Sequence, residues 1–383
     1  MYSALYYIRR DCGGVQKMKQ YKGTELIQML CGIYGPTGFE APVADFIRTQ
    51  IEPFCDAILP DRVGNLIGVR KGGGEGYNAT TPKKVMVSAH MDEVGFIVRN
   101  IDENGYVSFL LDGGIDSKVL AGRSVVLFNE THTVKGVINA KAIHSLSPEE
   151  RKEALPPDKL YIDIGAVDAA DAKAYIGVGD YGTFDSDFVL FGENNRMMKS
   201  KALDDRFGCA AMIEVLRALH ASGQRLPFDL YFAFTVREEI GNSGAQCAAQ
   251  KLAPDYAIVL ETTAVADIAG VPENARVSDV GQGGVISLMD RSTVYDRSFA
   301  DFAMETARRH EIKAQIKRYV SGGNDAGHIH KSGAGVSCLA ISAPTRYLHS
   351  ACCVASVEDY EAIRALLQAV LIDGGAKDGL FCR

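Results

Sequence analysis

The chain contains no hydrophobic run long enough to cross a bilayer. Its longest apolar stretches, such as Val85–Ala89 and Leu230–Val236, are strand-sized, whereas a spanning helix needs about 20 apolar residues. The opening Met1–Arg10 has no apolar segment after a basic start, so no secretory signal is expected there. Basic blocks are also missing: 41 Lys+Arg stand against 48 Asp+Glu, a net charge of −7. That balance argues against nucleic acid or an anionic membrane as partner. The nine cysteines are odd in number and scattered, without a CxxC pair. This usage speaks against a disulfide framework or a thiolate zinc site, and fits buried thiols in a reducing cytoplasm. Repeats and low-complexity tracts are absent.

What is present is ordinary globular material, 47% apolar and 23% charged over 383 residues. At roughly 150 residues per domain, two to three units are expected, with a large core that needs no staples. Residues 1–17 lack the patterning of the rest, and amphipathic spacing begins around Thr24 with Leu26, Ile27, Leu30 and Cys31. Translation is expected to start at Met18, leaving 1–17 as a disordered or mis-started extension. Helical stretches Thr24–Tyr34 and Ala41–Phe54 precede strand-like Asn65–Arg70, a Gly-rich loop and the buried strand Lys84–Ala89. From about 96 to 187 short β-branched runs separated by Gly, Asn and Asp turns predict a β-rich insertion. Beyond Ser200 helices and strands alternate again, and a capping box at Ser356 and Asp359 opens a last helix running to about Leu371. The expected architecture is an α/β catalytic domain, 18–95 and 188–383, interrupted by the β module 96–187.

Five motifs fall where strands end or helices begin: His90-Met91-Asp92-Glu93, Asp204-Asp205-Arg206, Arg237-Glu238-Glu239, Glu261-Thr262-Thr263 and His349-Ser350. Sites in α/β sheets form outside the carboxyl ends of the strands, where these residues would converge. Each motif alone has a plain structural reading. Asp204 is a natural helix cap, Glu238-Glu239 an ordinary solvated turn and His349 a loop histidine. Together they would crowd carboxylates and two histidines at one end of a sheet, which is costly without cations. A pair of divalent ions bridged by a carboxylate accounts for the set, and imidazole with carboxylate suits zinc, cobalt or manganese. Asp92, two residues past His90, could hold the imidazole's other nitrogen. A glycosidase pair at Glu238 and Glu239 is disfavoured, because neighbouring strand residues point to opposite faces.

In order along the chain, HMDE, KALDDRFG, REEIG, LETTAVAD, GGNDAGHIH and RYLHS resemble the M42 family of metallo-aminopeptidases, from about Tyr21 to Leu371. The resemblance implies a zinc-peptidase-like α/β/α fold with a small barrel-like insertion, and two divalent ions per subunit, Zn or Co or else Mn. It assigns His90 and Glu261 to one ion, Glu239 and His349 to the other, and Asp204 to the bridge. Glu238 would be the general base, Asp92 the support of His90, and the Asp204–Asp205 bond cis. Asp325, His328 and His330 would lie near the substrate pocket. Three positions depart from the family pattern: Glu261 where some relatives have Asp, Asn324 within GGNDAG, and Ala351-Cys352-Cys353 after His349-Ser350. His132, His144, His220 and His310 lie in turns or at helix ends and need no function.

The expected protein is a cytoplasmic aminopeptidase that removes N-terminal residues from peptides, assembled as a homododecamer built from dimers through the β insertion. Its rivals are a metal-dependent amidase or deacylase of small N-acyl molecules and a non-catalytic, metal-stabilised assembly protein.

Overall fold

The computed structural model describes residues 19–148, 151, 152 and 154–382. The expected start at Met18 and the extension 1–17 lie outside the described residues. Two β-structures organise the rest: a twisted, mixed eleven-stranded sheet and a closed six-stranded barrel.

Four parallel strands form the middle of the large sheet, in the order Asp229–Thr235, Lys84–His90, Tyr256–Ala264, Ser337–Arg346. Their sequences are nearly continuous in apolar residues because helices cover both faces. The period-two alternation of strand side chains divides them cleanly. Val85, Val87, Ala89, Leu230, Phe232, Phe234, Ile258 and Leu260 join the core on one face. Met86, Tyr231, Ala233, Ala257 and Val259 join the core on the other. Helices Gly23–Gly32, Ala41–Ile51, Leu203–Ala221, Arg297–Arg309 and Val357–Gly374 cover the first face, and Ser243–Leu252 with Ala326–Ile329 the second. At about 25 cal/mol per Å² of apolar surface, two such faces dominate the fold's stability.

The barrel takes its strands from Gly95–Ile101 through Tyr181–Phe184 and closes around a separate core of Phe96, Val107, Phe109, Leu127, Ile162 and Phe184. Two residues of the large structure enter it: Ala351 belongs to this core and Cys352 packs on it. The chain then adds Val189–Phe191 and Met197–Ser200 to the edge of the large sheet.

The last helix does start at Ser356, whose hydroxyl accepts from the amide of Glu358. Asp359, however, does not complete the expected box. Its carboxylate accepts instead from the amides of Gly281 and Gly283, at 2.7 Å each.

Candidate metal centre

Strand register brings the first donors together. Thr235 pairs with His90, and Val259 pairs with Ser88, so Glu261 stands level with His90 on the neighbouring strand. Asp204 arrives from the opposite side, at the start of the long helix Leu203–Ala221, where the Asp204–Asp205 peptide is cis. Glu238 and Glu239 follow strand Asp229–Thr235 in a tight turn, and His349 follows strand Ser337–Arg346. Ala202, Arg237, Asn242, Tyr347 and His349 all take positive φ between 54° and 59°. Left-handed backbone at non-glycine positions is costly and concentrates at functional sites.

Two groups of donors result, His90/Asp204/Glu261 and Asp204/Glu239/His349, and Asp204 belongs to both. His90 Nε2 lies 3.2 Å from Asp204 Oδ1 and 3.4 Å from Glu261 Oε1. His349 Nε2 lies 3.3 Å from both Asp204 Oδ2 and Glu239 Oε2. The other ring nitrogens are committed to carbonyls. His90 Nδ1–H donates to the Asp92 carbonyl at 3.1 Å, and His349 Nδ1–H to the Gly114 carbonyl at 2.9 Å. In the neutral tautomer both Nε2 lone pairs therefore face carboxylate oxygens, an arrangement that calls for a cation between them. Two donors each about 2.0–2.1 Å from one tetrahedral ion are separated by about 3.3–3.4 Å, the spacing seen here. The buried Oε1 of Glu239 has no partner of its own. The residues present fit a metal centre.

Electrostatics point the same way. Burial opposes a charge on His90, but Glu261, Asp204 and Asp92 outweigh it and raise its pKa well above the ordinary range. Burial likewise opposes a charge on His349, yet Asp204 and Glu239 push its pKa up to about 10. Asp204, despite its burial, is held well below the usual carboxylate range by the two imidazoles. Glu239 and Glu261 are raised by burial and by Asp204, and burial brings Glu238 to about 8. Carboxylates so crowded ionise together only beside compensating positive charge.

Glu238 sits beside these groups without belonging to either, its Oε1 accepting from the side-chain amide of Asn242 at 2.9 Å. The same Asn242 amide reaches Asp325 Oδ1, and Asp325 Oδ2 accepts from Thr235. Asp325 is thus next to Glu238, a neighbourhood that places it at the centre. His328 and His330 are not among the donor groups: His328 lies within the short helix Ala326–Ile329, and His330 ends it, its Nδ1–H donating to the Ala326 carbonyl. Asp92 supports more than the His90 ring. Its carboxylate lies 3.5 Å from His90 Nδ1, farther than its own carbonyl, and accepts from the amides of Glu238 and Glu239 and from Thr37 Oγ1.

Sequence reasoning passed over several residues that complete this scaffold. Arg206 is fully buried and donates to the carbonyls of Met91, Leu30, Ile33 and Gly35, tying the end of strand Lys84–His90 to the first helix. Glu93 takes two hydrogen bonds from Lys201 Nζ and one from Thr183 of the barrel. Their charges and their position beside HMDE and LDDR were the signal available.

A mixed α/β sheet sandwiched by helices, with His and carboxylate donors at its strand ends, defines a metal-dependent hydrolase. The profile of the M42 glutamyl aminopeptidase family matches residues 64–366, and the chain belongs to that family. It is a metal-dependent aminopeptidase, a hydrolase of the exopeptidase kind. It is 35% identical over 348 residues to a protein of Acetivibrio thermocellus whose name assigns it provisionally to the aminopeptidases, covering 90% of this chain and 98% of the relative. Among solved structures, the TET aminopeptidase of a marine sediment thaumarchaeote superposes with TM-score 0.87 at 32% identity, covering 94% of this chain and 97% of that one. The TET1 peptidase of Pyrococcus horikoshii, which can assemble into a tetrahedron or a large octahedral shell, matches with TM-score 0.79 at 32% identity over 91% and 98% of the two chains. Among the described residues, no helix is long and apolar enough to cross a membrane.

Proposed function

We propose that the chain removes N-terminal residues from peptides using two divalent ions, one held by His90, Asp204 and Glu261 and the other by Asp204, Glu239 and His349. The observation that carries this reading is the shared Asp204 with an imidazole lone pair aimed at carboxylate oxygens on each side. Bound there, a pair of divalent ions would acidify a water and polarise the scissile carbonyl. Glu238 takes the water's proton and returns it to the departing amine, because its carboxylate adjoins both groups yet stays outside them. Burial near neighbouring acids raises its proton affinity, as a base working near neutrality requires. Asn242 orients Glu238, and Asp92 fixes both His90 and the backbone of the Glu238–Glu239 turn. Asp325 acts through Asn242, and His328 and His330 line the approach for peptide. Zinc, cobalt and manganese all suit the donor set.

On this reading residues 18–95 and 188–383 form the catalytic domain, and 96–187 the inserted one. The enzyme works in the cytoplasm as a homododecamer built from dimers. Support for assembly comes from the shells formed by the Pyrococcus relative and from exposed apolar residues on the barrel, among them Leu110 and Val137. Metal-stripped protein reloaded with single metals should hydrolyse aminoacyl-p-nitroanilides and release successive residues from peptides. Hydrolysis of N-acyl amino acids with free-amine peptides untouched would overturn the reading. In light scattering, a metal-loaded species near 41.4 kDa would overturn the assembly alone.

A further inference from the structure

We infer that the barrel is part of the metal centre: its turn Asp112-Gly113-Gly114 positions His349. This rests on the reading that His349 and Glu239 hold an ion, and adds what holds them. His349 lies on a loop at φ 55°, with a third of its side chain exposed. Little but a hydrogen bond can orient a ring so placed, and its Nδ1–H finds the Gly114 carbonyl at 2.9 Å. That bond selects the tautomer whose Nε2 lone pair faces Asp204 and Glu239.

The turn fits closely enough to require glycine at 113 and leaves a side chain at 114 in contact with the ring. Gly113 has φ +93°, and a Cβ there would stand 2.7 Å from Val94 Cγ1 and 3.4 Å from Glu239 Cβ. A Cβ on Gly114 would stand 3.4 Å from His349 Nδ1. A second attachment runs the other way, since Ala351 is buried in the barrel core and Cys352 packs against it. The His349 loop is thus docked on the barrel from both sides of the contact. His90, by contrast, takes its orienting carbonyl from Asp92, two residues along its own strand end.

The inference is tested on the full chain, stripped of metal and titrated with Co²⁺ by calorimetry and by the visible absorption of the bound ion. Wild type should take up two ions. Gly113→Ala should keep one at wild-type affinity and bind the other about 10–100-fold more weakly, the usual cost of losing an outer partner of a ligand. Gly122→Ala is the matched control: it also imposes a side chain at positive φ in the barrel, but its Cβ meets only Ala140 Cβ at 3.8 Å. It should keep both ions. Where circular dichroism shows that Gly113→Ala has not folded, Gly114→Ala decides, with a smaller shift in the same direction. Folded glycine variants that bind two ions as wild type does would overturn the positioning role. A wild type that binds no ion would instead overturn the metal reading on which it rests.

Discussion

The two halves of the centre present the same chemistry by different means. On one side His90 and Glu261 stand on adjacent central strands, with 2% and 7% of their side chains exposed. On the other, Glu239 and His349 come from loops, and the ring of His349 is oriented by the barrel rather than by its own neighbourhood. The first half is a product of register within a packed sheet, where a sub-ångström shift would disturb two cores at once. The second depends on the docking of one β-structure on another. Support from within one sheet and support from a second β-structure thus meet at Asp204.

That contrast can be broken most directly at the shared residue. Asp204→Ala should abolish both binding positions, so metal content falls from two ions to none and turnover becomes undetectable. One ion retained at wild-type affinity would show that the halves are independent. Glu238→Gln should cut kcat by about 10²–10⁴-fold, the usual contribution of a general base, while elemental analysis still finds both ions. Loss of metal from this variant would exchange the roles of Glu238 and Glu239. Arg206→Met attacks only the sheet half. It removes the donor to four buried carbonyls and a cation 3.7 Å from Glu93, which should cost about 3–5 kcal/mol in urea unfolding. Cobalt spectra of the folded fraction should change for the His90 position and not for the His349 position.

The same contrast explains what could be read from the amino-acid order. The helix and strand alternation, the β insertion and the donors at strand ends were legible because period-two and helical patterns are local. Strand Lys84–His90 ends one residue beyond its expected bound at Ala89. Asp92 was expected to hold the other imidazole nitrogen of His90. Its carbonyl is the nearer acceptor, and its carboxylate mainly caps the Glu238–Glu239 turn. Gly114 gave no sign at all, because a backbone carbonyl has no residue type and lies 235 positions from the ring it orients. The Ala351-Cys352-Cys353 departure has a physical sense only once Ala351 is seen inside the barrel core.

Asp359 offers the weakest expected effect on the centre, and so a check that the contrast is local. It opens the last helix, fully buried, and burial raises its pKa to about 6 even though two glycine amides donate to it. In the unfolded chain the same carboxyl titrates near about 3.9. Between these values the folded state binds a proton that the unfolded state does not, so this group makes stability rise as pH falls from 6 towards 4. Above pH 6 the folded state carries a buried charge and that increment is absent. Two pKa units correspond to about 3 kcal/mol at most. Asp359→Asn should erase this component, so that urea midpoints of wild type and variant converge or diverge with pH only across that window. An amide can accept through one oxygen, so part of the loop Gly281–Gly283 loses a partner at every pH. Metal content and kcat at pH 7 should nevertheless match wild type, because none of the donors bonds to Asp359. A variant that lost the His349 ion selectively would show that support for that half extends through the last helix, beyond the barrel contact.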